Sequence, residues 1–404
     1  MQKTLILLLY ILCISCKKEH SNSLNLGIWR AELQVSDQEI LPFNFEVTSA
    51  QTLKLFNADE VIFVEDITYK NDSVMIKMPA FDGHYISAKI TKGNLSGVFV
   101  QENQERTVPF KATYGIKERF TFKNKPDYNI SGKWETVFSE GQVDNEYIAL
   151  GIFNQEGNHV TGTFRTTTGD YRFLDGVLEG DQLKLSTFDG SHVYLFTATV
   201  SDSTITGTRY NGNHFNEPFI AKRNEAFELP DAETLTYLKE GYETLEFTFP
   251  DTSDQIVSLT DDRFKNKVVI VQLMGSWCPN CLDETKFYSE FYKLHKDQDI
   301  EFVALAFEYA KTKENAFKSM DRLKHVIGIE YPVLLAQYGT VNKVEAQKKL
   351  PMLNKVLSYP TSILIDKKGK IRKIHTGFNG PATGEKYIEF KKEFETFVDE
   401  LLKE

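Results

Sequence analysis

The sequence predicts a multidomain chain: two tandem all-β domains, each a sandwich or a small barrel, followed by an α/β domain with a mixed sheet. Three observations lead there. Between about residues 27 and 222, short alternating apolar–polar segments recur between turn-forming residues, the pattern of half-buried strands. That region repeats itself at a nearly constant offset. Beyond about residue 243 the apolar runs become continuous and alternate with helical spacing, as in a sheet covered on both faces.

Composition sets the outer limits. The 404 residues are 41% hydrophobic and 26% charged, ordinary for a globular protein, and 30 Phe with 18 Tyr favour strands. Net charge is -10 with no basic run, which argues against nucleic acid as a partner.

The first sixteen residues, MQKTLILLLYILCISC, carry one basic residue, Lys3, and an apolar run from Leu5 to Ile14. They have the build of a secretory signal and are too short to span a bilayer stably. Ser15 before Cys16 resembles a bacterial lipoprotein lipobox. The resemblance implies cleavage before Cys16, lipid on its thiol, and an exported chain anchored on the periplasmic side or cell surface of a bacterium. Cys13 stands where that pattern has an aliphatic residue. Residues 17–26 read as a polar tether.

The β region divides into repeats at 27–118 and 127–222. Trp29 aligns with Trp134, Phe81 with Phe188 and Pro109 with Pro218, so the offset drifts only from 105 through 107 to 109. Two copies of one domain with small insertions give that signature. His84 and His192 follow matching FDG turns and read as turn histidines, since no further ligands stand at metal-site spacing. Residues 223–242 read as a charged, partly helical linker.

In the C-terminal part, VVIVQLM (268–274), EFVALAF (301–307) and YPVLLA (331–336) read as strands. TSILID (361–366) and KIRKIHT (370–376) form a hairpin. Helices are expected from Pro279 to about Lys296, with Leu282, Phe287, Phe291 and Leu294 on the apolar side, and from Thr312 to about His325. Residues 340–357 read as mostly helical with an interruption at Pro351, and 385–403 as a final helix.

The chemistry centres on GSWCPNC, residues 275–281. Cys278 and Cys281 are the only cysteines after residue 16. A disulfide between them closes too small a loop to stabilise much, and a metal site would need two further ligands. A strand running into C-P-N-C and a helix puts the pair at a helix N-terminus, where free N–H groups and the dipole favour a thiolate. Pro279 suits the first helical turn. Cys278, at the exposed start, is expected to be the attacking nucleophile, and Cys281, one turn in, the resolving thiol.

VVIVQLMGSWCPNC, YPTSILID (359–366) and GFNG (377–380), in that order, resemble the TlpA/ResA-like thioredoxin-fold proteins. The resemblance covers about residues 243–404 and leaves the β-domains aside. It implies a thiol–disulfide oxidoreductase whose redox-active disulfide, Cys278–Cys281, is its only redox group, with no metal or other cofactor. It also implies protein thiol or disulfide substrates; the leading reading is a reductant of exported proteins, which needs a membrane-embedded electron donor because exported space lacks a thiol buffer. Pro360 is implied to be cis and to face the cysteines. Trp277, Pro279, Tyr359, Pro360 and Gly377 are implied to contact substrate. Glu284, three residues beyond Cys281, is either a proton carrier for the buried cysteine, as the resemblance implies, or an exposed first-turn acid. Asp283 reads as such a helix-start acid. Gln272 stands where thioredoxin has a buried Asp, so that relay is missing. His375 is either a groove residue or a strand surface residue. Three other functions compete: a peroxiredoxin-like antioxidant, which lacks its P-x-x-x-T-x-x-C segment here; a copper chaperone with His375 as third ligand; and a ligand-binding lipoprotein.

Overall fold

A computed structural model describes residues 23–404. The signal segment, most of the tether and the lipidation candidate Cys16 lie outside the described residues. Among those described, no helix is long and apolar enough to cross a membrane.

The first β-domain is a nine-stranded antiparallel sheet between Gly27 and Tyr114. Its opening strand, Gly27–Gln34, pairs with both the second strand and the last. Consecutive strands pair throughout, except that Glu60–Val64 and Asp66–Lys70 do not pair with each other and form the two edges. Alternate residues Trp29, Ala31 and Leu33 are buried, as a one-sided strand requires.

The second β-domain, Gly132 to Arg223, has the same strand order but closes. His159–Thr166 pairs with Tyr147–Glu156 on one side and with Leu174–Glu179 on the other, completing a barrel. Closure removes the sheet edges. A two-residue strand, Gly169–Asp170, folds back on Arg165 and Thr166 as a projecting hairpin.

The duplication is visible in atomic detail. Trp29 donates its indole N–H to the Asn25 carbonyl at 2.9 Å, and Trp134 donates to the Ile130 carbonyl at 2.8 Å. Gly97 and Gly207 occupy equivalent strands. A Cβ on either would lie 2.0 or 2.1 Å from a neighbouring carbonyl, that of Ser87 or Thr197. Only glycine permits strands to approach this closely.

The C-terminal domain has a five-stranded mixed sheet in the order Val333–Gln337, Ile300–Phe307, Val268–Met274, Thr361–Ile365, Ile371–Thr376. The first three run parallel, and Thr361–Ile365 is antiparallel to the central Val268–Met274. Every residue of Val268–Met274 is buried, which explains its unbroken apolar run apart from Gln272. The helices are α1 (Pro279–His295), α2 (Lys313–Ile327), α3 (Lys343–Lys349) and α4 (Glu385–Lys403). Phe287 and Phe291 of α1 pack on Phe394 of α4, with ring centroids 5.3 Å apart in both pairs.

Three expectations are corrected. Leu294 is 80% exposed, because α1 turns that face to solvent one residue before its end. The 340–357 segment is helical only over Lys343–Lys349. Beyond it the backbone pairs with the linker: Lys239 N–H donates to the Met352 carbonyl and Asn354 N–H to the Tyr237 carbonyl. For the same reason residues 224–247 contain no helix. Its backbone groups are satisfied partly by short turns, such as Thr234 N–H to the Asp231 carbonyl, and partly by the distant segment, not by a helical ladder.

Candidate active site

The central strand ends at Met274, and the chain turns through Gly275, whose carbonyl accepts from the Cys278 N–H at 3.1 Å. Cys278 then caps α1. Its backbone is extended, and its Sγ accepts from the Cys281 N–H at 3.2 Å. Pro279 follows as the first helical residue, where no N–H is missed. Cys278 and Cys281 are joined as a disulfide.

Opposite this turn, the Tyr359–Pro360 peptide is cis, and the Tyr359 carbonyl lies 3.5 Å from Cys278 Sγ. The Gly377 N–H donates to the Pro360 carbonyl at 2.9 Å, and its φ of +80° is the left-handed conformation that glycine adopts freely. Trp277 donates to the Phe307 carbonyl at 2.9 Å and packs edge-on against Tyr309 and Tyr359. The structure thus brings together Trp277, Cys278, Pro279, Cys281, Tyr359, Pro360 and Gly377.

Glu284 is fully buried, not an exposed first-turn acid. It accepts from Gln272 Nε2 at 2.8 Å, Ser362 Oγ at 2.9 Å and Tyr288 Oη at 3.3 Å. Burial pushes its carboxyl up to about 7, against those three hydrogen bonds. Gln272, the departure from thioredoxin, is therefore one of its hydrogen-bond donors.

Three features differ from the sequence expectation. Cys278 is only 6% exposed, because the β-domains lie over the start of α1. Asp283, read as a solvent-facing acid, is buried and ion-paired with Arg172 of the second β-domain. His84 is buried at the contact between the β-domains, with Nδ1 2.9 Å from the Gly190 carbonyl; burial pushes its pKa down to about 4. His192 hydrogen-bonds within its own turn, to Asp189. His375 packs against Phe390, and burial pushes it down to about 4. Among the described residues no three His, Cys, Asp or Glu groups converge to hold a metal.

Two residues escaped sequence reasoning. Glu308 is buried just behind the motif and accepts from Ser276 N and Oγ at 2.8 and 2.6 Å; burial pushes it up to about 7. The signal was a lone acid ending the apolar run EFVALAF. Arg172 touches Glu60 of the first β-domain, Asp189 of the second and Asp283 of α1. No local pattern connects positions so far apart in the chain.

Residues 239–388 match the Redoxin family. Thiol-disulfide oxidoreductase ResA of Bacillus thuringiensis subsp. konkukian is 30% identical over 132 residues, 32% of this chain and 66% of that protein. ResA of Bacillus subtilis is 29% identical over 140 residues, 35% of this chain and 69% of that protein. The chain therefore spans about two thirds of the length of these relatives, and the likeness leaves the β-domains uncovered. Among solved structures, a thiol-disulfide oxidoreductase from Bacteroides fragilis is 20% identical, covers 37% of this chain and 99% of its own, and has a TM-score of 0.27. The C-terminal domain is a redoxin domain related to the ResA-type thiol–disulfide oxidoreductases.

Proposed function

We propose that this redoxin domain is an exported thiol–disulfide oxidoreductase that reduces disulfides in other exported proteins. The observation that carries the reading is the Cys278–Cys281 disulfide at the N-terminus of α1, with the Tyr359 carbonyl beside Cys278 Sγ. In the reduced form the Cys278 thiolate attacks one sulfur of a substrate disulfide, and the other substrate sulfur leaves as a thiolate. Cys281, deprotonated, then attacks Cys278. Its sulfur displaces the second substrate thiolate, which takes up a proton, and two electrons have passed to the substrate. The N–H groups at the helix start stabilise the Cys278 thiolate. Glu284, with its pKa near 7, has the proton affinity to accept and return the Cys281 proton. Trp277, Pro279, Pro360 and Gly377 frame the substrate. Electrons come from a membrane-embedded donor, and lipid on Cys16 holds the protein near it.

The test is a redox-buffer titration of the protein with Cys13 and Cys16 replaced by serine. A reduction potential at or below about -230 mV supports a reductant. A value near about -120 mV reverses the direction of catalysis. A pair that does not interconvert between dithiol and disulfide removes the assignment. Cys278→Ser should abolish reduction of insulin disulfides.

A further inference from the structure

We infer that the hairpin at Thr167–Asp170 of the second β-domain occupies the substrate face of the redox site, and that protein disulfides reach Cys278 only when this hairpin leaves. The inference rests on the thiol–disulfide reading and adds an internal occupant that competes for the same surface.

The three segments that frame Cys278 are each held by this hairpin or its neighbours. Ser358, just before the Tyr359–Pro360 peptide, donates its hydroxyl to the Thr168 carbonyl at 2.9 Å. Gly377 faces the Thr167–Thr168 backbone so closely that a Cβ would lie 2.9 Å from the Thr168 carbonyl carbon. Asn280, between the two cysteines, donates its amide to the Asp170 carbonyl at 3.1 Å. A Cβ on Gly169 would lie 2.0 Å from that amide nitrogen. The Gly380 N–H donates to Asp170 Oδ2 at 2.6 Å, and the Ser191 hydroxyl donates to the Trp277 carbonyl at 3.3 Å. Main chain of the hairpin thus lies against the cysteine turn, the residue before Tyr359 and Gly377 at once. An incoming substrate segment would need the same space.

The arrangement is suited to release. These contacts are hydrogen bonds, which water can replace. The barrel keeps a core around Trp134, Phe138, Phe164 and Phe196; its Phe188, Val193 and Leu195 join the apolar cluster that runs through the first β-domain and the redoxin domain, but no residue of the hairpin does. Release of the hairpin alone therefore opens no hydrophobic core. Arg172, three residues after Gly169, is the clasp. Its guanidinium touches Asp283 and the Pro279 carbonyl of α1 while also holding Glu60 and Asp189.

The test traps the site as a mixed disulfide. In a Cys281→Ser protein with Cys13 and Cys16 replaced by serine, Cys278 is offered a peptide whose single cysteine is activated with an aromatic thiol. The Cys278 sulfur bonds to the peptide sulfur, the aromatic thiolate leaves, and its colour gives the rate. Amide hydrogen exchange is then read over residues 166–172. Exchange should rise at least tenfold on trapping. Introducing Gly169→Val, which strains the hairpin at φ +147° and breaks its fit to the Asn280 amide, should speed trapping at least tenfold, and Arg172→Gln should do so independently. Unchanged exchange in the trapped state overturns the inference even where trapping is efficient, and leaves the redox reading standing. Absence of trapping with and without Gly169→Val overturns both.

Discussion

The two β-domains share a strand order and a tryptophan anchor, yet they differ at one place. In the first, the hairpin formed by Leu53–Asn57 and Glu60–Val64 ends in an edge strand with Phe63 61% exposed. In the second, the corresponding hairpin has shrunk to Gly169–Asp170, and the chain passes through Tyr171 and Arg172 into a strand that seals the barrel. The first copy contributes Glu60 to the Arg172 clasp; the second contributes Arg172 itself and lays backbone over the cysteines. A duplicated scaffold can thus keep its core while one shortened strand pair both closes a barrel and reaches a neighbouring active site. The exposed edge of the first copy is the form that closure removed.

The largest effect that could break this comparison is loss of the clasp. Arg172→Met takes the guanidinium from Glu60, Asp189 and Asp283 in a buried site, leaving only His192 beside Asp189 and Lys286 3.6 Å from Asp283. Removing one partner of a buried ion pair is strongly destabilising, so unfolding by urea should show a loss of about 3–5 kcal/mol. A loss below about 1 kcal/mol would mean the two copies do not meet the redoxin domain through this residue.

Next comes a control that both copies should leave untouched, Glu284 in the redoxin interior. Its carboxyl has a higher pKa in the fold, about 7, than the ordinary 4.5. The linked stability is therefore full below about pH 4.5 and is lost as pH rises through about 7. A shift of this size corresponds to about 3 kcal/mol at most. Glu284→Gln should reduce the fall in melting temperature between pH 4.5 and 8, leaving the part that belongs to Glu308, whether or not the hairpin is docked. An unchanged pH profile would place the titrating group elsewhere.

The smallest effect sharpens the likeness itself. Gly97→Ala and Gly207→Ala each push a methyl into a backbone carbonyl at nearly the same distance. Each should destabilise by about 1–3 kcal/mol through overpacking, and the two losses should agree within about 0.5 kcal/mol in denaturant titrations. A wide disagreement would mean that closure has changed how the second copy absorbs strain.

Much of this protein was legible in the sequence because the signals are local. Alternation gave the strands, the drifting offset from Trp29 to Trp134 gave the duplication, and the run from Val268 to Cys281 placed a cysteine pair at a helix start. The strands and the cysteine pair rest on neighbours within one or two turns or one strand pair, where backbone geometry ties side-chain direction to spacing; the duplication is legible because the same local pattern is written twice. The failures are of another kind. Asp283 reads as a solvent-facing acid because its only local partner is Lys286, one turn on and half exposed; the partner that buries it, Arg172, stands over a hundred positions earlier. Residues 350–357 kept a helical pattern, but Tyr237 and Lys239 of the linker took up their backbone groups. Cys278 was read as exposed because the domain that covers it is separate in sequence. Which side chains form strands and helices, and which two sulfurs pair, is set by local spacing. Which acids are buried, which cation joins three domains, and what lies over the cysteines depend on how the domains dock, through a few hydrogen bonds and ion pairs whose members no local periodicity relates.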